Sequence, residues 1–128
     1  MAEKQCNLIK NGVGRRVQIK ADAYVLASSN IKGGQTVTLN LNDDIDNYSY
    51  LIGQGYTGSV MLAEMYIPIG SIRGGSSYRL HYSDTSYIYW WDLSYSSDTI
   101  ITAKAGGSWP SSSTLAVRIL GIKEYADI

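Results

Sequence analysis

The sequence has no phenylalanine, one cysteine, one histidine, two prolines and no excess of either charge. Each shortage removes a class of answers. A lone thiol, Cys6, cannot close an intrachain disulfide or a cysteine-based zinc site. It reads as a small residue near the terminus, an intermolecular bridge being the sharper alternative. His81 alone cannot supply the paired imidazoles of an HExxH site. A Ser–His–Asp triad would also have to use His81, and no GxSxG elbow accompanies it. Eleven Lys and Arg balance eleven Asp and Glu. No surplus charge is present to release counterions from a nucleic acid, so no nucleic-acid partner is expected. No apolar run approaches the roughly 20 residues of a membrane span, so no membrane insertion is expected. The opening residues, MAEKQ, lack the apolar core of a secretory signal, which points to synthesis in a cytoplasm. Glutamate is confined to Glu3, Glu64 and Glu124. A glycosidase needs two carboxylates flanking its sugar, so the chain is read as a non-enzyme with no cofactor and no metal.

What is present repeats every two residues. In 16–21, Val17, Ile19 and Ala21 alternate with polar neighbours, and in 36–41 Val37, Leu39 and Leu41 do the same. Both predict half-buried strands. Further strands are predicted over 24–27, 48–53, 59–67, 78–82, 87–93, 99–105 and 114–122. Gly33-Gly34, Gly74-Gly75 and Gly106-Gly107 mark turns between them, and Pro68 ends the strand before it. Only 60–65 has helix-forming residues, and its flanks leave about two turns at most. The expected fold is all-β: an antiparallel β-sandwich or jelly roll of about nine short strands. Residues 1–14 are expected to form a connecting arm and 15–128 a single sandwich domain.

Two acidic features invite a chemical reading. Glu64 shares strand parity with Val60, Leu62 and Tyr66 in an apolar segment. A carboxylate there should be paired, and Arg118 and Arg79 are the candidate partners. A structural ion pair in the sheet or across a subunit interface is the preferred reading over a raised-pKa acid. Glu64, Tyr66 and Arg118 are therefore assigned to an oligomer interface. Asp43, Asp44 and Asp46 lie in a polar loop that lacks the EF-hand pattern, and a solvated acidic loop is preferred over a calcium site.

The most distinctive stretch is 81–98, HYSDTSYIYWWDLSYSSD. The chain has eleven Tyr and three Trp, and six of these fourteen rings fall between residues 82 and 95. Flat rings interleaved with short polar groups can cover the C–H face of a sugar while Asp and Ser bind its hydroxyls. Tyr82, Asp84, Tyr87, Tyr89, Trp90, Trp91, Asp92 and Tyr95 are the candidate ligand-binding residues. Strict alternation puts Tyr87, Tyr89 and Trp91 on one face and Ile88 and Trp90 on the other. The competing reading buries both faces, one in the core and one against another subunit.

The ending STLAVRILGIK (113–123), with YIPI (66–69) and YIYWW (87–91), resembles bacteriophage tail-fibre and receptor-binding tip domains. The likeness covers residues 48–123 and is one of strand texture. It implies a β-sandwich that forms a homotrimer and recognises a host-surface glycan or protein. It also implies a virion location, on a phage tail or capsid surface, after synthesis in the host cytoplasm. A monomeric carbohydrate-binding module and a capsid decoration or other structural virion protein are the alternatives.

Overall fold

The structure of the protein, a computed structural model, describes the backbone of residues 3–10, 13–110 and 112–127, and the side chains of residues 20–110 and 112–125. Its strands are β1 (Glu3–Lys10), β2 (Val13–Lys32), β3 (Thr36–Asn40), β4 (Tyr50–Thr57), β5 (Val60–Ile67), β6 (Tyr78–Ser83), β7 (Ile88–Ser97), β8 (Ile100–Gly107) and β9 (Thr114–Asp127). They form a five-stranded sheet, β1-β2-β9-β4-β5, and a four-stranded sheet, β3-β8-β7-β6. Every pairing is antiparallel. The all-β sandwich expected from the two-residue period is the fold observed.

Alternation sets what faces inward. From the five-stranded sheet come Leu51, Ile67, Leu115, Val117 and Ile119; from the four-stranded sheet come Leu39, Leu80, Trp91, Leu93 and Ile101, all in one buried cluster. Burying a side chain of this kind contributes about 1.5–3 kcal/mol, so the inter-sheet layer dominates the stability.

Local chemistry explains where the strands differ from the period. Residues 16–21 and 24–27 belong to one strand, β2, whose pairing with β9 shifts between Val25 and Ala27. The extra residue, Leu26, turns into the core, and this bulge breaks the alternation that the sequence pattern relies on. Within the segment 1–14, expected as a connecting arm, the described residues Glu3–Lys10 form β1, which pairs with β2. Pro68 ends β5 as expected, but a short helix follows it, α1 (Ile69–Arg73), which buries Ile72. The segment 60–65 is strand, as expected.

The β4–β5 hairpin positions the site. Gly58 turns with φ of 58°, a conformation that favours glycine. The β4–β5 register then shifts between Gly55 and Tyr56, which leaves Leu62 without a partner. Glu64 and Tyr66 stay opposite Gln54 and Ile52 on the outward face, whereas Leu62 packs against the core. The parity expected to unite Leu62 with Glu64 is broken by this bulge.

Candidate functional site

A cleft of about 200 Å³ opens at the end of the sandwich where the β4–β5 and β6–β7 turns lie. Leu62 and Leu115 give it apolar contacts. Tyr82 and Tyr89 supply rings, and Thr57, Asp84, Ser113 and Thr114 supply oxygens. Three of the eight ligand-binding residues expected from sequence, Tyr82, Asp84 and Tyr89, therefore meet here.

Strand alternation brings the rings together. Tyr82 and Tyr89 are cross-strand partners on the inward face, with ring centroids 5.8 Å apart. Tyr87 meets the edge of Tyr89 at 6.4 Å. Trp109 stands edge-on to Tyr89 at 5.0 Å, and its indole N–H donates to the Gly106 carbonyl. Edge-to-face packing of this kind contributes about 0.5–1.5 kcal/mol beyond area burial and fixes ring orientation.

Asp84 is the carboxylate lining the cleft. It accepts the backbone N–H of Ser86 at 2.8 Å and that of Tyr87 at 2.7 Å. These two amides, with a further contribution from the Tyr89 hydroxyl, hold its carboxyl below the usual carboxylate range. It is therefore an ionised acceptor at neutral pH, and its carboxylate also fixes the loop.

The other expected ligand residues lie elsewhere. Trp91 is fully buried between the sheets, so it belongs to the core and is withdrawn as a ligand contact. Tyr89 is only 7 % exposed and meets the cleft by its rim. Trp90 and Asp92 lie on the opposite, outward face of β7. The Trp90 ring lies across Gly106, where a Cβ would overlap it, and the Arg79 guanidinium sits 3.8 Å from its centroid. Asp92 binds Arg79 through both oxygens, at 2.7 and 2.9 Å. Trp90 is thus a covered ring, not an open stacking platform. Tyr95, also withdrawn from the cleft, is at the far end of β7, where its hydroxyl donates to Asp98 at 2.7 Å.

Sequence reasoning missed Thr57, Leu62, Trp109, Ser113 and Thr114 as cleft or cleft-supporting residues. The 109–113 segment reads as a plain turn before the last strand. Only the sandwich topology shows that Ser113 and Thr114 line the same cleft as Asp84 of the β6–β7 loop.

The expected ion pair takes another form. Glu64 accepts from Gln54 Nε2 at 2.6 Å, Arg118 lies 4.7 Å from the Tyr56 ring centroid, and Arg79 is on the other sheet. His81 is exposed on the outward face of β6, away from the cleft. In the acidic loop, Asp43 accepts from the Tyr48 hydroxyl, and Asp44 caps a 3₁₀ turn at Ile45–Asn47. Asp44, Asp46 and Asp98 converge, but Arg73 binds both Asp46 and Asp98, so a cation already neutralises the group.

No protein-family model matches the chain, and no curated protein matches its sequence.

Proposed function

We propose that this chain is a non-catalytic recognition domain of the phage tail-tip kind, displayed as an oligomer on a virion, that binds a host-surface saccharide at the end of its sandwich. The observation that carries this reading is the composition of the cleft. Tyrosine rings and two leucines lie beside one ionised carboxylate and three hydroxyl side chains, and among the described residues no cation lines the cleft. Sugars present apolar C–H faces together with hydroxyl donors, and this lining answers both. The volume is below the roughly 300–1,000 Å³ of pockets for drug-sized ligands, so the cleft suits one sugar ring, such as a chain end or side branch.

The same features weigh against hydrolysis. Among the described residues of the lining Asp84 has no second carboxylate beside it, and its two amide donors keep it ionised, which suits an acceptor and not a general acid. His81 stands on another face.

The test is titration of the full chain with a panel of neutral and acidic mono- and oligosaccharides, followed calorimetrically. Saturable binding that is weakened in both Tyr82→Ala and Asp84→Asn supports the reading. Absence of binding across the panel, or binding unaffected by both changes, overturns it.

A further inference from the structure

The two outward faces of the sandwich differ in kind. That of the four-stranded sheet carries Thr36, Thr38, Thr102, Lys104, Ser94 and Arg79, with Ile88 and Trp90 its large apolar exceptions on β7, as expected of a face mostly in water. That of the five-stranded sheet does not. The register aligns Val25, Leu120, Ile52 and Tyr66 in one row across β2, β9, β4 and β5. The next row contains Ile122 and Tyr50, and the Tyr50 and Tyr66 rings meet at 4.9 Å. Val25 on β2 is 49 % and Tyr66 on the edge strand β5 is 57 % exposed, with Leu120 and Ile52 half-buried between them, so the row is apolar and open at both ends.

One polar row crosses this face: Arg118, Gln54 and Glu64, on adjacent strands. It is unfinished within one chain. Gln54 is only 6 % exposed and donates to Glu64, yet its Oε1 is buried without a donor. Arg118 Nε is likewise buried without an acceptor, and among the described residues the guanidinium has the Tyr56 ring but no carboxylate. A half-buried cation on an apolar face is costly unless an anion meets it.

We propose that this outward face is covered by a second copy of the same chain, whose Glu64 takes the Arg118 guanidinium. The row is self-complementary. It carries a cation on β9 and an anion on β5, with the uncharged Gln54 between them. Two copies stacked with their rows reversed place each Arg118 against the other copy's Glu64. The zero net charge of the chain opposes no such approach. The apolar rows on one side of the charges would be desolvated together, which supplies the drive, while the charges set register. This inference deepens the proposed function, because it rests on the oligomeric display supposed there and names the surface that builds it.

The experiment is sedimentation velocity of the full chain across the micromolar range, with circular dichroism to establish folding. The wild type is expected to sediment as a pair, at twice its 14.0 kDa mass. Leu120→Arg should weaken association by roughly a hundredfold or more, because each copy would bury an unpaired charge. Arg118→Glu and Glu64→Arg should each give a folded single chain, and the double reversal should assemble again. A wild-type chain that stays single throughout, or assembly indifferent to Leu120→Arg and to both charge reversals, overturns the proposal. Saccharide titration of the dissociated Leu120→Arg chain separates the two readings. Assembly without sugar binding removes the functional reading alone, and sugar binding by a wild-type single chain removes this one alone.

Discussion

Gly55 of β4 lies directly beneath the indole of Trp91 on β7, so that a Cβ at position 55 would overlap the ring. One sheet gives up a side chain so that the other can insert its largest. Trp91 is fully buried, and its indole N–H finds no acceptor among the described residues, which makes packing the reason for the ring. Gly55→Ala should therefore destabilise the fold by about 1–3 kcal/mol or more, as overpacking of a dense core does. Trp91→Phe vacates space on the same spot. The double variant should be less unstable than the sum of the two singles, since contacting residues couple. Urea unfolding of the four proteins measures this, and additive losses would show that the contact is not the source of strain.

The same pair shows what a sequence can and cannot disclose. Alternation in 87–93 is enough to put Tyr89 and Trp91 on one face, and composition is enough to single out the aromatic stretch. Neither says which face is inside. That depends on Gly55, thirty-odd residues away, where the absence of a side chain reads as the end of a strand and is really a socket. The expected strand over 48–53 stops short of the observed Tyr50–Thr57 for this reason. Bulges hide in the same way. The irregularity at Val25/Ala27 splits β2 into two apparent strands, and that at Gly55/Tyr56 sends Leu62 to the cleft and Glu64 outward. The cleft itself joins four loops and strand ends far apart in the chain. Only its β6–β7 portion was legible, because only there do the residues stand close in sequence.

Trp90 and Tyr82 look interchangeable in the sequence but lie on opposite faces of the four-stranded sheet. Tyr82→Ala is expected to weaken saccharide binding about tenfold, the equivalent of roughly 1.4 kcal/mol, by removing a cleft wall. Trp90→Ala is expected to leave affinity unchanged and to cost a little stability by uncovering Gly106 and releasing Arg79. Calorimetric titration and thermal melting of both variants distinguish the faces. The reverse pattern would move the site to the outward surface.

Asp84 gives the cleft a defined pH response. The Ser86 and Tyr87 amides hold its folded-state carboxyl below the ordinary value of 3.8. A depressed carboxylate contributes its stabilisation above the unfolded value and loses it as pH falls through the folded one. Saccharide affinity should therefore be flat from pH 8 down to the ordinary carboxylate value, and fall only below it. In Asp84→Asn that acid fall should vanish. A step in affinity between pH 6 and 7 would contradict this, because a carboxyl held below 3.8 cannot produce one.

Tyr48 sets the alkaline limit. Its ring packs on Gly121, where a Cβ would lie 2.6 Å from Cδ1, and its hydroxyl donates to Asp43 at 2.8 Å. Burial first, and the Asp43 bond second, push the hydroxyl up to about 12 from 10.0. A raised folded-state value means that stability is fully present below the unfolded value and is lost as pH rises through the folded one. The melting temperature should therefore fall between pH 10 and about 12, by an amount worth at most ~2–3 kcal/mol before solvent screening. The same bond is the largest cause of the lowered Asp43 carboxyl, so the wild type should also lose stability as pH drops below 3.8. Tyr48→Phe keeps the ring on Gly121 and removes the hydroxyl. It should cost about 1 kcal/mol at neutral pH and flatten both limbs of the pH–stability curve. Thermal melts of the two proteins from acid to alkali measure this. If the alkaline fall persists unchanged in Tyr48→Phe, it comes from another tyrosine: Tyr50, raised chiefly by burial, or Tyr95, raised chiefly by its bond to Asp98.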